Sequence, residues 1–246
     1  MKPFLILQLR PEAQASDSEF SAILAKAGLS KSDVHRIRLD ENPDINHVVL
    51  DDYSGIIVGG GPGCVSDEPD KKDPLEKAIE DAIMARMGEI EQRDFPFLGC
   101  CYGMGILGHH LGGIVNKECY SEPVGAVNCW LTDEGKNDDL LKGVPDNFRA
   151  FVGHKEAVQA LPPNCTNLVA SKPCPFQMLR YKSNVYATQF HPEADAKEFE
   201  TRINIYRDFG YFPPEDADKL IKMVQAENIA MPEKVLRNFV GKYGGY

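Results

Sequence analysis

The run Phe97-Leu98-Gly99-Cys100-Cys101-Tyr102-Gly103 leaves the chain few ways to fold around it. A short apolar segment ends in two cysteines framed by glycines, and an apolar stretch follows to Leu111, before Gly112-Gly113. Strand, tight turn and helix in immediate succession require small residues at the corner, because the backbone folds back on itself at close range. A cysteine at the tip of such a corner sits at a helix N-terminus, where the dipole and free N–H groups favour a thiolate. Counted between Gly99 and Gly103, Cys101 takes the tip and Cys100 points the other way, into the core. The competing interpretation is a pair of buried structural cysteines, since free cysteine is among the most buried residue types.

The flanking sequence supplies the rest of an α/β pattern. Strands are expected at Pro3–Leu9, Val34–Leu39, Gly55–Val58 and Phe95–Gly99. Between them, Ser16-Asp17-Ser18-Glu19 offers a capping box for a helix carrying Phe20, Ile23, Leu24 and Ala27, stopped by Gly28. Asp73-Pro74-Leu75-Glu76 starts a second helix, with cap, first-turn proline and glutamate in order. Alternation of this kind implies a mostly parallel sheet covered by helices. From Pro123 to Thr188 the pattern changes to β-hairpins, and it becomes helical again after Ala194. Residues 1–212 are expected to form one domain. Residues 213–246, with helix starts at Pro213-Pro214 and Pro232, form a helical extension packed on it.

Composition narrows the functional classes. Among 246 residues, 27 Lys and Arg face 37 Asp and Glu, a formal charge of −10 with no basic cluster, which excludes a phosphate-neutralising nucleic-acid surface. No apolar run approaches the roughly 18 residues of a membrane span, and Phe4-Leu5-Ile6-Leu7 is too short for a signal core. Seven cysteines without a Cys-x-x-Cys pair argue against disulfides or structural zinc, so a reducing cytoplasm is expected. His109 and His110 are adjacent and diverge by about 100° on a helix, so they cannot share a metal. No metal or cofactor is called for. The charged run Asp67–Asp73 is expected to be a solvated loop.

A thiol of ordinary pKa needs a base, and Gln189-Phe190-His191-Pro192-Glu193 offers one at a strand end. Glu193, two residues on, can fix the tautomer of His191. Ile56-Ile57-Val58-Gly59-Gly60-Gly61-Pro62-Gly63 ends a third strand in bare backbone N–H groups suited to an oxyanion. A phosphate loop is the rival, but the Gly-Lys-Ser/Thr of a Walker loop is missing. All three segments can lie along the carboxyl edge of one parallel sheet, where open α/β folds bind ligands.

Taken together, Gly-Gly-Gly-Pro, Gly-Cys-Cys-Tyr-Gly and Gln-Phe-His-Pro-Glu resemble the class I, triad-type glutamine amidotransferases, nearest to the amidotransferase domain of GMP synthetase, over residues 3–209. The resemblance implies a flavodoxin-like three-layer α/β/α sandwich, here with a C-terminal helical appendage. It also implies hydrolysis of glutamine to glutamate and ammonia through a γ-glutamyl thioester. On this basis Cys101 is the nucleophile, His191 the base and then the acid, and Glu193 its orienting partner. The N–H groups of Gly60 and Tyr102 form the oxyanion hole. Gly61, Gly105, His154 and Lys155 are the candidate substrate contacts, the last two from a looser match of Val152–Glu156 to a Ser-His-Gly-Asp loop. Gly105 stands where family members usually carry a glutamine that helps hold the substrate, and its small size is expected to open the pocket toward other γ-glutamyl compounds. These residues include no ATP pyrophosphatase loop, so ammonia is expected to pass to a separate synthetase subunit. A stand-alone γ-glutamyl hydrolase or peptidase and a catalytically silent binding module are the alternatives, and a homo-oligomer stays open.

Overall fold

A computed structural model describes residues 2–245. Its strands are β1 Phe4–Gln8, β2 Val34–Arg38, β3 Gly55–Val58, β4 Phe97–Cys100, β5 Val115–Asn116, β6 Glu122–Leu131, β7 Asn147–His154, β8 Ala157–Val158, β9 Cys165–Ser171, β10 Met178–Tyr181 and β11 Val185–Thr188. The helices are α1 Ala13–Ala27, α2 Pro74–Arg93, α3 Tyr102–His110, α4 Asp133–Lys136, α5 Ala196–Ile205, α6 Ala217–Gln225 and α7 Glu233–Tyr243. Nine strands form one sheet in the order β2-β1-β3-β4-β11-β10-β9-β6-β7. The first five are mutually parallel, and from β11 outward each pairing is antiparallel. The expected hairpin region thus extends the parallel sheet at one side.

Strand side chains alternate between faces, and the core divides accordingly. Phe4 and Ile6 of β1 join Ile57, Leu98, Cys100 and Tyr186 on one face, with Phe20 and Ile23 of α1 and Phe239 of α7. Leu5 and Leu7 join Ile56, Val58, Phe97 and Val185 on the other, with Ile79, Ile83 and Met87 of α2 and Ile106 of α3. Helices therefore cover both faces in the expected three layers. A third cluster, centred on Phe151, Phe199, Ile203 and Val224, packs α5 and α6 against the antiparallel part. No described helix is long and apolar enough to cross a membrane.

Helix α2 begins where its sequence says, with the Asp73 carboxylate accepting from the Leu75 and Glu76 N–H groups. Helix α1 does not. It starts at Ala13, a turn before the supposed box, so Ser16 and Glu19 lie inside the helix and on its buried side. The charged run Asp67–Asp73 is also less solvated than expected. Its Lys72 is half-buried, with a side chain only 6% exposed that donates to both oxygens of Glu80 at 2.6 and 2.7 Å and to the Val65 carbonyl.

Candidate active site

Parallel pairing of β1, β3, β4 and β11 puts their carboxyl ends side by side, so Arg10, Gly59–Gly61, Cys101 and Gln189–His191 emerge along one edge. The corner after β4 is strained. Cys101 adopts φ 52° and ψ −93°, a positive φ that costs a non-glycine residue about 1–3 kcal/mol. Its N–H donates to the Thr188 carbonyl at 2.7 Å, tying the corner to the end of β11. A side chain at Gly99 would meet the Gly103 backbone at 2.9 Å, so the approach that forms the corner excludes one. Cys100 is buried in the α1 side of the core, while Cys101 borders the site and is 8% exposed.

The His191 N–H to Phe151 carbonyl bond (3.0 Å) holds the loop after β11, and the imidazole packs edge-on against Phe199. Its Nδ1 lies 2.8 Å from Glu193 Oε1. A carboxylate can only accept, so Nδ1 carries the proton and Nε2 is the free basic nitrogen. Cys101 and His191 line the same cavity. Glu193, on the far side of the imidazole, does not line that cavity.

Sequence reasoning missed the charges behind it. Arg202 of α5 donates to Glu193 Oε1 at 2.8 Å and places a second nitrogen 3.1 Å from His191 Nδ1. Glu19 of α1, fully buried, accepts from Arg10 Nε at 2.9 Å and lies 3.8 Å from Arg202. Arg10 also reaches the Tyr206 hydroxyl. One signal was available: Glu19 and Arg202 fall on the faces that carry Phe20 and Ile23 in one helix and Phe199 and Ile203 in the other.

These surroundings set the protonation states. Burial pushes the Cys101 thiol up to about 12, with Arg10 pulling back only part of the way. Burial thus works against the thiolate that a helix N-terminus favours. Burial also lowers the His191 imidazole below its ordinary value; Glu193 opposes this, and Arg202 and Arg10 reinforce it. Burial alone would raise the Glu193 carboxyl, but the charges on His191 and Arg202 hold it far below the usual carboxylate range. Burial thus favours the neutral form of both groups that border the cavity.

The expected oxyanion hole needs correction. The Gly60 N–H donates to Glu19 Oε1 at 3.1 Å and is not free. A Cβ at Gly60 would sit 2.7 Å from Arg10 Nη2 and 3.0 Å from His191 Cε1, so this glycine makes room for the ion network. Gly61 borders the cavity in its place. The N–H of Tyr102 opens α3, where the first donors lack intrahelical partners, and the Tyr102 hydroxyl donates to Glu80 at 2.6 Å.

A second cavity adjoins Cys101, bordered by Gly61, Tyr102, Gly105, His154, Lys155 and Glu156 among others. Here too the expectation changes. Gly105 does not open the pocket, because a Cβ there would lie 2.7 Å from Glu156 Oε1. That carboxylate fills the notch and is fixed by the Val65 and Ser66 N–H groups at 2.9 Å and the Ser66 hydroxyl at 2.7 Å. His154 borders the cavity with both ring nitrogens engaged, Nδ1–H donating to the Glu156 carbonyl and Nε2 2.7 Å from Glu122 Oε2. Lys155 Nζ stands 3.9 Å over the Tyr211 ring. Glu122, His154 and Cys174 bring potential metal-ligand atoms within 4.8 Å of one another, but the Glu122 carboxylate already accepts from Gln177 at 2.6 Å.

Known proteins share this fold. A solved glutamine amidotransferase from Thermotoga maritima superposes with TM-score 0.77 over 100% of both chains at 20% identity, and one from Methylobacillus flagellatus with 0.70 over 99% and 96% at 21%. A glutamine-hydrolysing GMP synthase of Borrelia garinii is 30% identical over 150 residues, 61% of this chain and 25% of that protein. A glutamine-hydrolysing GMP synthase subunit of Thermoplasma volcanium is 27% identical over 182 residues, 74% of this chain and 82% of that subunit. The chain spans about a quarter of the length of the first GMP synthases it matches. The family model for glutamine amidotransferase class-I matches residues 15–208, most of the sheet and all three strand-end segments, and the chain belongs to that family.

Proposed function

We propose that this site hydrolyses the side-chain amide of glutamine through a γ-glutamyl thioester on Cys101. His191 Nε2 takes the thiol proton as sulfur attacks the amide carbon, then delivers it to the departing nitrogen, and ammonia leaves. A water, deprotonated by the same nitrogen, then releases glutamate and restores the thiol. Glu193 keeps Nδ1 protonated and stabilises the imidazolium between the two transfers. Arg202 holds that carboxylate in place. The oxyanion falls to the N–H groups of Tyr102 and Gly61, each such donor being worth roughly 10²–10³ in rate. Lys155 and Glu156 supply opposite charges for the two ends of an amino acid. The ammonia passes to a separate synthetase chain, in keeping with a relative whose name makes it one subunit of a glutamine-hydrolysing synthase.

One observation carries this reading: a cysteine held at positive φ at the start of a helix shares a cavity with an imidazole whose other nitrogen is held by a carboxylate. Treatment with a glutamine-like chloroketone, followed by peptide mass spectrometry, tests it. The adduct is expected on Cys101 and not on Cys100, with free glutamine protecting, and labelling falls by about 10²–10⁴ in His191→Ala. Labelling of Cys100 instead, or none at any pH, would refute it.

A further inference from the structure

A side chain beyond the family match stands between Cys101 and the surroundings of the site. Past residue 208, where that match ends, the chain turns through Phe209 and Gly210 and brings Tyr211 back to the catalytic edge. Tyr211 borders both cavities at Cys101, and also a third one bordered by Glu122, Val124, His154 and Lys155. Of the residues bordering these spaces, Gly153 alone shares that position, and it carries no side chain. The Tyr211 ring is therefore the partition between them.

The partition matters because of size. The two inner cavities measure about 50 and 20 Å³, the outer one about 360 Å³. A water takes about 10–15 Å³, so the inner two together hold roughly five to seven groups of that size, fewer than the heavy atoms of glutamine. Glutamine reaches Cys101 only when the ring moves.

A charge clamps that ring. Lys155 Nζ lies 3.9 Å from its centre, and the Tyr206 ring flanks it at 5.6 Å. Lys155 borders the outer cavity as well as the smaller inner one, so a carboxylate in the outer cavity meets its ammonium before it meets Cys101. A charge-assisted hydrogen bond to a carboxylate outweighs the cation–π contact that it replaces. Behind the ring, Gly210 holds φ 74° with open space where a Cβ would stand, so nothing packs there against a turning movement.

We infer that Tyr211 gates this site: Lys155 holds the ring across the path to Cys101, and the α-carboxylate of an incoming amino acid draws Lys155 away and lets the ring turn out. A free α-carboxylate is thus selected twice, by pairing with Lys155 and by opening the path. The inference rests on the thioester reading of Cys101 and on the pairing of Lys155 with the substrate. Tyr211 acts by position and takes no part in bond making. A cation–π contact favours the closed form by roughly 2- to 30-fold, and apparent affinity falls with the open fraction.

The test compares rates of Cys101 labelling in the whole chain by two reagents, read by peptide mass spectrometry. One is the glutamine-like chloroketone; the other is iodoacetamide, which has no α-carboxylate. Tyr211→Ala is expected to speed iodoacetamide about tenfold and the chloroketone less, and Tyr211→Phe, which restores the ring, to restore the slow rate. Lys155→Gln should move the reagents in opposite directions, iodoacetamide faster and the chloroketone slower, a split that general loosening does not produce. Iodoacetamide labelling unchanged in Tyr211→Ala, with the chloroketone still on Cys101, would overturn the gate and leave the glutaminase reading standing. A rise shared equally by Cys100 would mark loosened packing and overturn the gate too. Failure of the chloroketone to label Cys101 in every form would overturn both.

Discussion

His191 stands between opposed charges, and the balance sets the pH at which the site works. Because burial, Arg202 and Arg10 all lower its pKa, the acid limb of Cys101 labelling should lie below the ordinary imidazole value of about 6.5. Arg202→Gln removes a cation that disfavours protonation, so the limb should move to higher pH. The same change leaves Glu193 and Glu19 short of a buried partner, which should cost about 3–5 kcal/mol in urea unfolding. Glu193→Gln shifts the limb the other way and slows labelling, since it removes the anion that favours the imidazolium. At the neighbouring notch, Gly105→Ala should lose about 1–3 kcal/mol of stability by displacing the Glu156 carboxylate. In a Glu156→Ala background the added cost of Gly105→Ala should largely vanish, which unfolding of the double variant against Glu156→Ala alone would show.

Elements with a strong local signal formed where their residues indicate. Asp73 caps α2 through two backbone N–H groups, and Asp73→Ala should lower the unfolding free energy by about 1 kcal/mol. Strand β3 runs from Gly55 to Val58, bounded as its apolar run is. The start of α1 was not legible, because Ser16 and Glu19 have cap spacing but serve tertiary partners: Ser16 accepts from Arg36, and Glu19 faces Arg10 and Gly60. The same limit applies to the site. Cys101, His191 and Glu193 announce themselves by short-range patterns, glycine framing in one case and two-residue spacing in the other. Arg202 and Glu156 carry no such pattern. Their roles arise from contacts with residues 9 and 91 positions away, Glu193 and Val65, which no local spacing encodes.

On the scale of the whole molecule, the last helix is part of the main core. Phe239 of α7 is fully buried and lies 5.9 Å, ring to ring, from Phe4 in β1. Phe239→Ala should cost about 3–5 kcal/mol in a single cooperative unfolding transition. Stability should also fall on acidification. His191 is harder to protonate folded than unfolded, so the unfolded chain takes up its proton first as pH drops below about 6.5, and stability is lost until the folded pKa is reached. Glu193, whose folded pKa is depressed, contributes fully above the unfolded value of about 4.3 and loses that contribution as pH falls through its folded pKa. Calorimetry across this range would register both.

The ion network beneath the imidazole has a consequence for the medium as well. Glu19 and Glu193 are buried behind the guanidiniums of Arg10 and Arg202, which border the cavity, and each carboxylate is answered by an opposite charge inside the protein. Mobile ions do not reach such pairs, so they escape the screening felt by the charges of the outer surface. Raising potassium chloride from about 0.05 to about 0.5 M should leave the acid limb of Cys101 labelling where it is.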